Sequence, residues 1–246
     1  MSDFSANLKV LQKLKDKLSS RIHRDFEELT HLQTSVKSTI DFANMSCKKI
    51  EAIIIEELMQ ARPNFDLFSS VSGEVINEKQ KYRWVINCIS DIQNYAHALP
   101  FSTIAISVEE NNGSEFTTIV SMVIILGSNE TFYAEKNKGA WVEVSQGNVV
   151  NSRIRVSSRP KDFLIITDSS EERQLLNFNS KIIPLVYLAS GRIDGVHLRD
   201  LSHFDISASI LLIVEAGGYI KKKKEGDLYS VIATNYKSDK LLPKSL

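Results

Sequence analysis

The apolar positions fall into two rhythms. Leu8, Leu11, Leu14, Leu18, Ile22, Phe26 and Leu29 recur at threes and fours with charges between them, which predicts an amphipathic helix over 4–34. Both signs of charge share its other face, so a core helix accounts for it better than a coiled coil or a membrane-surface helix. Lys37 to Ala43 breaks the rhythm. Ile50, Ile53, Ile54, Leu58 and Met59 resume it over 47–62, and Pro63 stops it. Residues 67–74 read as a strand running into a Gly-Glu turn. Segments 84–89, 101–109, 116–126, 131–134 and 140–144 read as successive strands, with turns at Asn111-Asn112-Gly113 and Gly127-Ser128-Asn129. From residue 150 strand and helix alternate. Phe163–Thr167 reads as a buried strand, Gly191–Gly195 as a helix end turning into a strand, and Ile232–Asn235 as the closing strand. Asp205 suits a helix start, Gly217 suits its end, and Lys221–Lys224 reads as a solvated turn. The pattern fits one domain over 1–246: a helix pair with an antiparallel sheet over 1–150, and an α/β half over 151–246.

The stretch from Trp84 to Phe101 organises the chain. An apolar run ending at Ile89 enters a polar turn, and a second apolar run, Phe101 to Val108, leaves it. Buried strands flank functional loops in this way. Trp84, Ile89, Asn94, Tyr95 and Pro100 fit the frame W-x-x-D-P-(I/L)-D-G-T-x-N-(F/Y)-x-x-x-x-P. Lys37, Asp41, Phe42 and Glu51 fit a second motif upstream, and Glu74 a third. Phe132 to Trp141, Tyr187 to Gly195, and Phe204-Asp205 through Gly218 supply further matches in order. On these motifs the chain resembles the inositol monophosphatase family over roughly residues 35–240. The resemblance implies an α+β and α/β fold, a layered αβαβα sandwich with its site between the halves.

It also implies a reaction, hydrolysis of a phosphomonoester by water assisted by Mg²⁺. Of the metal-binding positions, Glu74, Asp205 and the carbonyl of Ile89 remain. Asn87 and Ser90 stand where the family places two metal-binding aspartates, and Asp91-Ile92 where it places Gly-Thr. Cys47 replaces the carboxylate that helps orient water, and Ile92 the hydroxyl that positions it. Leu198 replaces a substrate-side glutamate, and the turn Asn179-Ser180-Lys181-Ile182 keeps only the serine of a phosphate-side turn. Mg²⁺ requires several convergent oxygen ligands carrying negative charge, and sulfur is a poor substitute. The expectation is therefore a catalytically impaired protein with no cofactor, in which Glu74 and Asp205 still converge but hold Mg²⁺ weakly. The alternative is a Mg-dependent phosphomonoesterase for inositol phosphate or a related sugar or nucleotide phosphate. In it, a one-residue slip brings the carboxylate of Asp91 into a reduced metal site. The resemblance further implies a homodimer and, through the bacterial extragenic-suppressor branch, a protein or RNA partner.

Composition narrows the rest. Lys+Arg 30 against Asp+Glu 30 in 246 residues leaves no global field to select nucleic acid or a membrane surface. The longest apolar runs are too short to span a bilayer. Cys47 and Cys88 allow one disulfide at most, and without a signal-like N-terminus the expectation is reduced thiols in the cytoplasm. A buried inert thiol outweighs a Cys/His nucleophilic pair at Cys47. His97 fits a surface role, and His23, His31, His197 and His203 have no zinc-site spacing with the cysteines.

Overall fold

The computed structural model describes residues 5–75, 80–113, 115–146, 148–168 and 178–236. Helix α1 (Ala6–Leu32) starts where the Ser5 side chain accepts the Leu8 amide, and its leucine stripe is buried. Helix α2 (Thr39–Ala61) begins earlier than its apolar rhythm. Ser38 caps it by accepting the Asp41 amide, and Asp41 suits the positive end of the helix dipole. In its first turns the fully buried positions are small or polar, Ala43 and Ser46, while Ile40 and Phe42 pack half-buried against the core, which weakens the apolar rhythm there.

Next come β1 (Asp66–Ser69), β2 (Gly73–Val75), β3 (Tyr82–Ser90), the short α3 (Ile92–Ala96), β4 (Thr103–Asn111) and β5 (Phe116–Ile125). They are followed by β6 (Glu130–Glu135), β7 (Gly139–Gln146) and β8 (Asn148–Ile154). The eight strands form one sheet in the order β2-β1-β3-β4-β5-β6-β7-β8. All neighbours are antiparallel except β1 and β3. The stretch 67–74 is thus two strands folded on each other, and β8 carries the first sheet past residue 150 to Ile154.

The second sheet holds β9 (Ile165–Thr167), β10 (Gly195–Leu201), β11 (Tyr219–Glu225) and β12 (Leu228–Thr234), ordered β11-β12-β10-β9. Helices α4 (Ile182–Ala189) and α5 (His203–Glu215) pack between the two sheets. The run Lys221–Lys224, expected as a turn, lies in edge strand β11. Its lysines lie mainly on the exposed side, and charge on a sheet edge discourages further pairing. The layers are therefore α1 and α2, the first sheet, α4 and α5, then the second sheet. The fifth layer of the expected sandwich has no counterpart among the described residues.

Because helices cover both faces of the first sheet, its strands read as nearly continuous apolar runs. Along β4, Ile104, Ile106 and Val108 join the core under α1 and α2, whereas Ala105 joins the core around α4 and α5. Small side chains on the α5 side let that helix approach closely, and the Ser107 and Ser207 hydroxyls meet at 2.6 Å.

The motif residues the chain retains are structural anchors. Asn94 Nδ2 lies within donating reach of the carbonyls of Phe101 (3.1 Å), Phe178 (2.9 Å) and Asn179 (3.1 Å). Tyr95 is fully buried, and its hydroxyl sits 3.2 Å from Ser46 Oγ, which donates to Asp25 at 2.7 Å. Asp194, also fully buried, takes Arg159 at 2.8 Å and the Leu164 amide at 2.9 Å. Replacing Asn94→Ala should remove the link between the α3 loop and the 178–179 turn. The expected loss is about 1–3 kcal/mol, the cost of orphaned buried polar groups, read by denaturant unfolding against wild type.

Candidate functional site

Asp205 lies in the first turn of α5, and its carboxylate is fully engaged. Oδ2 accepts the Ser202 amide at 2.8 Å and the Ser202 hydroxyl at 2.7 Å, while Ser202 in turn caps the helix. Oδ1 accepts Asn87 Nδ2 at 3.1 Å. Where the resemblance places a carboxylate–metal–carboxylate arrangement, an amide N–H meets the acid directly.

The β3 backbone between Asn87 and Ser90 bulges. Ile89 takes φ +48°, a left-handed conformation that a β-branched side chain adopts only under strain, of order 1–3 kcal/mol. Its side chain is nevertheless buried in the core under α1 and α2. Ser90 pairs with Thr103 across the strands, their hydroxyls 2.7 Å apart, and donates to Asp91 Oδ2 at 3.1 Å. The left-handed turn at Asp91 (φ +58°), directly after the register shift of the bulge, carries its carboxylate inward to the Ser180 hydroxyl. Burial pushes the Asp91 carboxyl above its ordinary range. Hydrogen bonds from Ser180 and Ser90 oppose the shift, the Asp205 charge adds to it and Lys181 offsets part of it.

Asp91, Asp168, Asn179, Ser180, Lys181 and Leu198 line a cavity of 240 Å³. Ser180 Oγ also accepts the Ile183 amide at 3.2 Å, opening α4. Lys181 is already bound to Asp168 at 3.2 Å and to the Arg199 carbonyl at 2.9 Å. Leu198 presents a buried apolar wall. A phosphate ester entering here meets two carboxylates and an ammonium that is already paired.

The remaining positions lie apart from this cavity. Ile92 packs against the core under α1 and α2. Cys47 is buried on α2 against Cys88. Glu74 is exposed on β2 opposite Phe68, whose ring lies 4.4 Å from that of Phe204, the neighbour of Asp205. His97 is exposed. Among the described residues, no three His, Cys, Asp or Glu side chains gather as a metal site needs. Asn87, Ser90 and Cys47 supply an amide, a hydroxyl and a thiol, donors that offset a divalent charge less than carboxylates do.

A second polar cluster carried no motif. Arg83 pairs with Glu109 at 2.8 Å and its guanidinium stacks 3.7 Å from the centre of the Phe116 ring. His203 Nε2 is 2.9 Å from Glu109, and Ser207 donates to the same carboxylate at 2.6 Å. Burial alone would raise Glu109, but His203, Ser207 and Arg83 together hold it at about 2. The cluster lies beside a cavity of 490 Å³ walled by α5 and Phe116. Strand register brings the cluster together: Arg83 and Glu109 face each other across β3 and β4, a pairing that residue spacing alone does not reveal.

Two sheets enclosing a helix layer, with acids at a strand end and a helix start, define the layered class of α/β phosphatase-like proteins. The chain belongs to the inositol monophosphatase family, whose family model matches residues 3–244. It is similar to the inositol-1-monophosphatase of Mesorhizobium japonicum, 27% identical over 98% of this chain and 96% of that protein. It is also similar to Nus factor SuhB of Escherichia coli, 25% identical over 87% of this chain and 84% of that one. The crystal structure of the extragenic suppressor protein SuhB from Bartonella henselae superposes with TM-score 0.76 at 26% identity. The match covers 98% of this chain and all of that one. No helix among the described residues is long and apolar enough to cross a membrane.

The Asp91 carboxyl supplies a pH test. A carboxyl whose pKa is raised by folding costs stability once it ionises, fully so above the folded pKa and not at all below the unfolded value near pH 4. Asp91→Asn, keeping an acceptor for Ser180 and Ser90, should therefore raise the melting temperature at pH 7. The gain should vanish as pH falls below about 4, and a gain independent of pH would refute the charge argument.

Proposed function

We propose that this protein is an inositol monophosphatase family member whose site no longer supports metal-dependent hydrolysis and which acts by binding. The observation that carries this reading is the direct hydrogen bond from Asn87 to Asp205. Hydrolysis in this fold needs cations to offset the phosphate charge and to generate hydroxide. Asp205 is engaged by an amide and a helix cap, Ser90 by Thr103, and Cys47 by a carbonyl. What the residues do instead is hold the fold: they cap α5, pin the β3 bulge and join α2 to β3. No cofactor is proposed. The reading includes a cytoplasmic homodimer whose partner is a protein before RNA, since equal numbers of acidic and basic residues give no field for a polyanion. The kinship with Nus factor SuhB supports a binding role.

One observation favours the second reading, a Mg-dependent phosphomonoesterase with a reduced site: the Asp205 charge acts on Asp91. Two carboxylates that interact could share one cation, acting on an inositol phosphate or a related sugar or nucleotide phosphate.

Titration calorimetry separates the two. Wild type should give no saturable heat with millimolar Mg²⁺ and no phosphate release above the uncatalysed background from inositol phosphate. The combined variant Asn87→Asp, Ser90→Asp, Cys47→Asp and Ile92→Thr should be less stable without metal through like-charge repulsion. Mg²⁺ should then restore it by mass action, about 2.7 kcal/mol at a hundredfold excess over Kd. Single reversions should do almost nothing, because ligands of one cluster act as a unit. Wild-type turnover at ordinary enzymatic rates would overturn the first reading, as would a folded combined variant indifferent to Mg²⁺.

A further inference from the structure

Cys47 lies on α2 and Cys88 on β3, 41 residues apart in sequence and side by side in the fold. Each thiol donates to the other residue's main-chain carbonyl, Cys47 Sγ to Cys88 O at 3.1 Å and Cys88 Sγ to Cys47 O at 3.4 Å. That reciprocity requires the two side chains to face each other. Both thiols are free and buried, and both helix and strand belong to one packed core, so the juxtaposition is fixed by the fold.

We infer that Cys47 and Cys88 form a reversible intramolecular disulfide, a two-electron redox site in the position where the family resemblance puts a water-orienting carboxylate. The oxidant is a hydroperoxide and the reductant a dithiol. The inference stands whether or not the site hydrolyses phosphate.

The two thiols are not equivalent. Cys47 is 7% exposed and Cys88 2%. Cys47 is therefore the attacking sulfur. Its thiolate takes the distal oxygen of the peroxide; the O–O bond breaks, leaving a sulfenic acid on Cys47 and releasing hydroxide or alkoxide. Cys88 then attacks the Cys47 sulfur; the S–S bond forms, the S–O bond breaks, and the hydroxide leaves as water with the Cys88 proton. Two thiols and one peroxide give one disulfide and, for hydrogen peroxide, two waters. Reduction by a dithiol reverses the sulfur oxidation and leaves the dithiol as a disulfide.

The test treats the full reduced chain with hydrogen peroxide, quenches, and alkylates under denaturing conditions. Intact mass should fall by about 2 Da, the two thiol hydrogens, with no alkylation of either cysteine. A digest should yield one peptide pair joined through residues 47 and 88, and dithiothreitol should restore both thiols. Cys88→Ala should let dimedone trap a sulfenic acid at Cys47, whereas Cys47→Ala should leave Cys88 unmodified. Two alkylatable thiols after peroxide, disulfides only between molecules, or stepwise gain of oxygen on wild type would each overturn the inference. The wild-type measurement decides alone if either variant fails to fold.

Discussion

The hydrogen bond from the Asn87 amide to the Asp205 carboxylate ties the first sheet to the helix lying between the two sheets. Asp205 also caps that helix through Ser202, so one carboxylate sets both where α5 begins and how far it stands from β3. Phe204 then falls against Phe68, and His203 against Glu109. A half-buried acid needs compensation, and here neutral donors provide it. A cation on the same oxygens would have to displace the amide and disturb the cap.

This arrangement separates two kinds of motif residue. Asn94, Tyr95 and Asp194 fit the family pattern and each holds distant segments together, so they serve the fold whatever the reaction. Asn87, Ser90 and Cys47 depart from it, and each has found a local hydrogen-bond partner. The backbone beneath them has not relaxed. Ile89 keeps a left-handed conformation, held by the buried packing of its own side chain and by the Ser90–Thr103 pairing beyond it.

The fold was legible wherever a rhythm or a dense motif spanned an element, as in α1, the strands around Trp84 and the helix opened by Asp205. It was hidden wherever burial was achieved without large apolar residues. The start of α2 buries Ala43 and Ser46, and β11 presents lysines that read as loop. In the candidate site the substitutions were visible as identities, but their new partners were not. That Asp91 reaches Ser180 through a left-handed turn depends on backbone geometry that no residue spacing encodes. The pairing of Cys47 with Cys88 and of Arg83 with Glu109 depends on packing and strand register.

The lysine-bearing edge at β11 bears on how the molecule behaves in concentrated solution. Its protection against another strand is Coulombic, and the reach of that repulsion shrinks from about 10 Å at 0.1 M salt to about 3 Å at 1 M. At the far border of the other sheet, β8 exposes Val149 (62%) and Val150 (54%), whose attraction salt does not weaken. The two borders therefore respond oppositely to ionic strength. Salting the protein shifts the balance between these borders from repulsion between lysine edges toward contact between valine edges.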